Sequence, residues 1–213
     1  MRNTFSSTLA KLAKKDKDIY IVVADISPAG KMEDFQKNNK DRFINVGVAE
    51  QTMISVCAGL ALNKKKPFAY TIAPFALYRP FEMVRNDLCY QNLPVTIVGM
   101  GAGTIYASLG GTHLSQEDIS ISRSIPNMQI IAPCDSLELE EAIKFCSKNK
   151  NSPIYLRIGK SGEKNFSHNS KEKWKFGKIR KMCTGVETAI LTFGPIINVA
   201  FEIRSKLKKN ISI

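Results

Sequence analysis

Through the first 160 positions, short apolar runs alternate with stretches whose apolar residues recur at helical spacing. Residues 4–14 predict a helix, and "IYIVVAD" (19–25) predicts a strand rich in β-branched residues. "FINVGV" (43–48) predicts the next strand, 50–62 a helix, and "PFAYTI" (67–72) a strand. "RPFEMVRNDLCYQ" (79–91) predicts a helix with Pro80 near its first turn. "PVTIVGMG" (94–101) predicts a strand, and 115–125 a helix with acids in its first turn. "MQIIAP" predicts a strand, "SLELEEAIKFCSK" a helix capped by Ser136, and "PIYLRI" (153–158) a strand. This rhythm predicts an α/β fold: a doubly wound, mostly parallel sheet with helices on both faces.

Beyond residue 160 the pattern changes. "SGEKNFSHNSKEKWKFGKIRK" is polar and basic and predicts a solvated linker over 161–185. "ETAILTFG" (187–194), the helical "PIINVAFEIRSKLKK" and "ISI" predict the start of a second α/β domain. About thirty residues bury too little surface for an independent core, so 186–213 is expected to be a shortened domain.

Charge sharpens this division. The chain of 213 residues carries a formal net charge of +12. Residues 144–181 hold twelve Lys/Arg and two acids, so most of the excess sits in and beside the linker. Aromatics interleave the run (Phe166, Trp174, Phe176), but no nucleic-acid motif does, and no nucleic-acid partner is expected. No apolar run reaches the roughly 18 residues of a membrane span. The amphipathic start lacks a signal-peptide core, which predicts a cytoplasmic protein with no membrane association. Five cysteines, without a C-x-x-C pair, predict buried or idle thiols rather than disulfides or a metal site.

In such sheets ligands sit beyond the carboxyl ends of the strands. There the sequence places Asp25, Glu50, Phe75, Tyr78, the glycines 99, 101 and 103, His113 and Arg157. Glu50 stands out as an acid at a strand–helix junction otherwise built for burial. Its plain alternative is a first-turn glutamate favoured by the helix dipole. For Phe75 and Tyr78 the alternative is core packing, and for Asp25 a turn.

"DRFINVGVAEQTMISVCAGLAL", "GGTHLSQEDISISRSIPNMQIIAPCDSLELEEAI" and "SPIYLRIGK" resemble the pyrimidine-binding domain of transketolases, above all the C-terminal subunit of transketolases split over two chains. The likeness covers 1–160, with 186 onward similar to the start of that family's C-terminal domain. It implies thiamine diphosphate as cofactor. The cofactor's aminopyrimidine removes a proton from C2 only as the imino tautomer, which a carboxyl group on N1′ favours. The resemblance puts Glu50 in that role, Phe75 as the ring stacked on the pyrimidine, and Tyr78 and Asp25 beside the cofactor. His113 matches a histidine near the reacting carbons of the donor ketose, making Glu50 and His113 the expected catalytic residues. Arg157 and Arg2 match substrate-phosphate positions. The family's Mg²⁺–diphosphate motif, G-D-G…N, is absent from the sequence. The resemblance therefore implies Mg²⁺ ligands on a partner, an N-terminal diphosphate-binding subunit, with a homodimer of this chain inside a heterotetramer.

The resemblance also has gaps. A family histidine is replaced by Gly101, a serine by Ala29, an acceptor-reading acid by Leu109, and a glutamine by Leu114. Lost polar partners and small replacements predict a roomier pocket and, within the expected sugar or sugar-phosphate substrates, a deoxygenated or bulky activated sugar, such as a nucleotide-linked one, over ordinary pentose phosphates. Two related thiamine-dependent readings stand beside ketol transfer. A deoxyxylulose-phosphate synthase shares "TH" and "IPNM" but usually carries a second histidine where Leu114 stands. A 2-oxo-acid decarboxylase β subunit has a different loop. A partner-binding fragment without catalysis is the non-enzymatic alternative.

Overall fold

The computed structural model describes residues 1–26, 32–186, 188–207 and 210–213. Six strands form one sheet: β1 (Ile19–Val23), β2 (Phe43–Asn45), β3 (Lys66–Ile72), β4 (Thr96–Met100), β5 (Gln129–Ile131) and β6 (Ile154–Ile158). Their order is β2-β1-β3-β4-β6-β5, and every pairing is parallel. The chain steps from β1 outward to β2 and then back to β3 on the other side of β1. That reversal opens a crevice beyond the strand ends.

Side-chain alternation along the strands sorts the helices into two layers. Ile19, Ile21, Val23, Phe68, Tyr70, Val98 and Leu156 face one layer, built by α1 (Arg2–Lys15), α2 (Met32–Asn38) and α7 (Ser136–Cys146). Phe5, Leu9 and Ala13, spaced four apart, bury the stripe of α1. Val22, Ala69, Ile97 and Tyr155 face the other layer, where α3 (Glu50–Leu62) and α4 (Ala73–Leu77) lie. The second layer also holds α5 (Phe81–Met83), continuous with a π-helical stretch Val84–Tyr90, and α6 (Asp118–Ser124). The expected fold class is the one observed.

Several local expectations are corrected. The strand expected over 43–48 pairs only through Asn45. The helix expected over 79–91 starts at Phe81 and widens to π geometry from Val84. A short helix, α2, was not anticipated. The cap of α7 is Asp135, not Ser136: its side chain accepts from the Glu138 N–H at 2.8 Å. Asp135 is fully buried and also accepts from the backbone N–H groups of Phe166 and Ser167, pinning the linker to the domain. The linker is less solvated than its charge suggests. Phe176 stacks on Phe145 of α7 at 4.8 Å, and Phe166 stacks on Phe201 at 4.6 Å. Near the end, β7 (Thr188–Ala189) pairs in parallel with β8 (Ile211–Ser212), with α8 (Ile197–Leu207) between them. Among the described residues, the expected strand 187–194 is thus represented by Thr188 and Ala189.

Candidate active site

At the β2–α3 junction, Asn45 organises the turn: its Oδ1 accepts from the backbone N–H of Asp25 and of Gly47, each at 3.0 Å. Gly47 has φ +74°, and the chain then enters α3 with Glu50 as its first helical residue. Glu50 is 3% exposed. Arg79 Nη1 lies 2.8 Å from Glu50 Oε2. The approach is out of line for a hydrogen bond, so Oε2 is buried in ionic contact yet has no hydrogen-bond donor. Asp25, exposed and left-handed at φ 49°, closes β1 beside Asn45. Ala29 falls outside the described residues.

Beyond β3, Phe75 is half-buried on α4, and the His113 ring meets it edge-on at 5.2 Å. His113 ends the 3₁₀ turn Gly111–His113, with Nδ1 3.0 Å from the Thr112 hydroxyl. Its loop is closed at the base by reciprocal backbone bonds between Gly103 and Ser115, both 3.0 Å. On the far side of His113 stands Tyr106, ring centroids 6.4 Å apart. Tyr106 is 8% exposed and donates its hydroxyl to Met100 Sδ at 3.0 Å; Lys160 Nζ sits 4.7 Å above the ring. Arg2, at the start of α1, donates its backbone N–H to the Lys160 carbonyl, and its Nε is buried without a partner. Burial pushes the Tyr106 phenol up, and the Arg2 charge opposes it. Thus Glu50, Phe75, His113 and Arg2 all lie on the carboxyl edge of the sheet.

The roomier pocket expected from Gly101 is overturned. Gly101 has φ +70°, and a Cβ built there would overlap Tyr106 Cε2 and lie 2.7 Å from Cδ2. The space a histidine would use is filled by the Tyr106 ring. Leu109, by contrast, is exposed.

Two expected residues are engaged elsewhere. The Tyr78 hydroxyl donates to Glu117 Oε2 at 3.0 Å and accepts from the Glu117 N–H. Arg157 Nε donates to Asp118 Oδ2 at 2.8 Å, an oxygen that also accepts the Tyr155 hydroxyl at 2.8 Å. Asp118 is fully buried, so this pair sets the direction of the arginine, which keeps its terminal nitrogens free of that bond. Arg79, Tyr106 and Lys160 were missed by sequence reasoning. Arg79 directly follows the aromatic pair Phe75/Tyr78, and that position was the available signal; Tyr106 and Lys160 meet only through tertiary packing.

Against known proteins, residues 1–162 match the family described as transketolase, pyrimidine binding domain, and the chain belongs to that family. It is 33% identical over 201 residues to one of the subunits of the apulose-4-phosphate transketolase of Phocaeicola vulgatus, covering 94% of this chain and 64% of that one. It is 35% identical to a 1-deoxy-D-xylulose-5-phosphate synthase of Clostridium perfringens, covering 99% of this chain and 34% of the synthase. A solved structure described as a split gene transketolase, inactive β4 tetramer, superposes with a TM-score of 0.86 at 31% identity, covering 99% of this chain and 69% of the other. The chain thus spans less than two thirds of the length of the Phocaeicola relative.

Proposed function

We propose that this chain is the pyrimidine-binding subunit of a two-chain, thiamine-diphosphate-dependent enzyme of transketolase type. It moves a two-carbon ketol unit from a ketose to an aldose-type acceptor. One observation carries the reading: Glu50 Oε2 is a buried carboxylate oxygen at the crevice with no hydrogen-bond donor. Such an oxygen is costly to leave unpaired, and a ring nitrogen able to share a proton would satisfy it. The residues present therefore fit the aminopyrimidine: Glu50 for N1′ and Phe75 as a flat apolar partner, with Asp25 near the crevice and Tyr78 bracing the Phe75 turn through Glu117.

When bound, thiamine diphosphate supplies the carbon nucleophile that takes up the two-carbon unit. Glu50 holds or yields the proton at N1′. His113, braced by Phe75, is placed to hydrogen-bond donor hydroxyls. Arg2 and Arg157, with Lys160, offer cations for a substrate phosphate at the other end of the edge. Tyr106 bounds the pocket between them, favouring a deoxygenated acceptor over a bulky one. In this reading Mg²⁺ and the diphosphate are held by a partner of N-terminal, diphosphate-binding type. The similarity to one chain of the Phocaeicola transketolase supports that division, and the likeness to an inactive β4 tetramer supports pairing between copies of this chain; a homodimer of it inside a heterotetramer is the assembly this reading expects. Residues 1–160 form the pyrimidine domain, 161–185 the linker and 186–213 the opening of a C-terminal domain. Among the described residues no helix is long and apolar enough to cross a membrane.

The test is reconstitution with a diphosphate-binding subunit, thiamine diphosphate and Mg²⁺. Glu50→Gln should fold and lose ketol transfer by roughly 10²–10⁴-fold. Wild-type turnover by the variant at saturating cofactor would defeat the reading. The identity with the synthase supports a second reading, a deoxyxylulose-phosphate synthase-like activity; assaying the reconstituted mixture for that product and for ketol transfer separates the two.

A further inference from the structure

We propose that Arg79 is a resting-state counter-ion that occupies Glu50 until the cofactor ring takes its place. The inference rests on the role proposed above for Glu50. The partners of the pair are unequal: the Glu50 side chain is 3% exposed and that of Arg79 46%. The acid is walled in at the start of α3, and the arginine reaches it from solvent. At 2.8 Å the contact neutralises charge, but its misaligned approach gives Oε2 no hydrogen bond. Arginine's advantage over other cations is its aligned, paired donation to carboxylates, and here that advantage is unused.

The backbone permits the arginine to leave. Arg79 lies between α4, which ends at Leu77, and Pro80, which precedes α5. Its Cα is therefore held within reach of Glu50, while its long side chain can turn into water with its charge hydrated. Oε2 is a single buried oxygen and cannot meet a ring nitrogen in its hydrogen-bonding direction while a guanidinium holds it. Loading the cofactor is then an exchange of partners. A ligand can displace an equilibrium only by the difference in its interaction with the two states. Whatever the ion pair contributes to the empty protein is accordingly subtracted from cofactor binding.

The experiment uses Arg79→Met, with Arg79→Gln as a second neutral variant and Arg79→Lys as the charge-keeping control, each in the reconstituted complex. Thermal unfolding is followed without and with thiamine diphosphate plus Mg²⁺, and cofactor affinity is measured by calorimetry. The neutral variants should melt below wild type without cofactor, because a buried carboxylate is left unpaired. That gap should close at saturating cofactor, and Kd should tighten about tenfold, or about 1.4 kcal/mol. Arg79→Lys should restore both values towards wild type. An unchanged melting temperature in the cofactor-free neutral variants, or an unchanged or weaker Kd, would overturn the exchange. Glu50→Gln is run in parallel: if it turns over normally, the reading of Glu50 itself has failed, and if only the Arg79 variants misbehave, the exchange alone has.

Discussion

Gly101→Ala measures whether the crevice is open or filled at the position where the resemblance implies a histidine. The glycine's φ of +70° lies in the left-handed region, which costs an L-residue about 1–2 kcal/mol. The added Cβ would overlap Tyr106 Cε2 and stand 2.7 Å from Cδ2, so the ring is forced to move. That ring is 8% exposed, anchored by its hydroxyl on Met100 and covered by Lys160, so displacement adds roughly 1–3 kcal/mol of overpacking. The sum is about 2–5 kcal/mol, or a fall in Tm of roughly 5–15 °C for a chain of this size. Urea denaturation of Gly101→Ala, Tyr106→Ala and the double variant completes the cycle. Tyr106→Ala alone should cost about 3–5 kcal/mol through its cavity. The double variant should be less damaged than the sum by about 1–3 kcal/mol, because the clash is gone. A loss below about 1 kcal/mol in Gly101→Ala, with additive single variants, would show that the space beside Gly101 is free and that Tyr106 does not bound the pocket.

Asp135→Ala should cost about 3–5 kcal/mol in the same assay, because it strips the cap of α7 and orphans the buried N–H groups of Phe166 and Ser167. Burial pushes the Asp135 carboxyl up, but the amides of Glu138, Ser167 and Phe166 outweigh it and hold it below the ordinary 3.8. Its contribution to stability is therefore complete above about pH 4 and is lost as pH falls through the folded-state value. Asp135→Asn should flatten that acid limb, and an unaltered pH–stability slope would contradict the assignment. Burial pushes the thiols of Cys89 and Cys146 up to about 12 and those of Cys57 and Cys134 well above their ordinary value, whereas Cys183 is half-exposed. A disulfide reagent at neutral pH should titrate one thiol quickly and all five only after denaturation; rapid reaction of two or more in the native chain would show that the core is looser than drawn.

The alternation of β-branched runs with helical stretches was enough to predict a parallel sheet covered on both faces. That pattern is a local property: strands buried on both sides must be continuously apolar, and the helices between them must each keep a single apolar stripe. Glu50, Phe75 and His113 were legible as chemistry-bearing residues after strand ends, but the roles expected of them, and the choice of Arg2 ahead of the first strand, came from the resemblance and not from the pattern. Tertiary structure alone decided what those residues touch. Periodicity does not encode that Tyr106 folds back over Gly101, that Arg79 crosses to the start of α3, or that Asp118 takes Arg157 Nε. The capping of α7 by Asp135 went astray by one residue because Ser136 is an equally good capping residue. The choice fell to the amides of Phe166 and Ser167, about thirty residues away in the chain, which reward the longer acid with two further hydrogen bonds. Propensity acts between neighbours in sequence. The pocket's walls and its counter-ion are set by contacts between segments that only the packed sheet brings together.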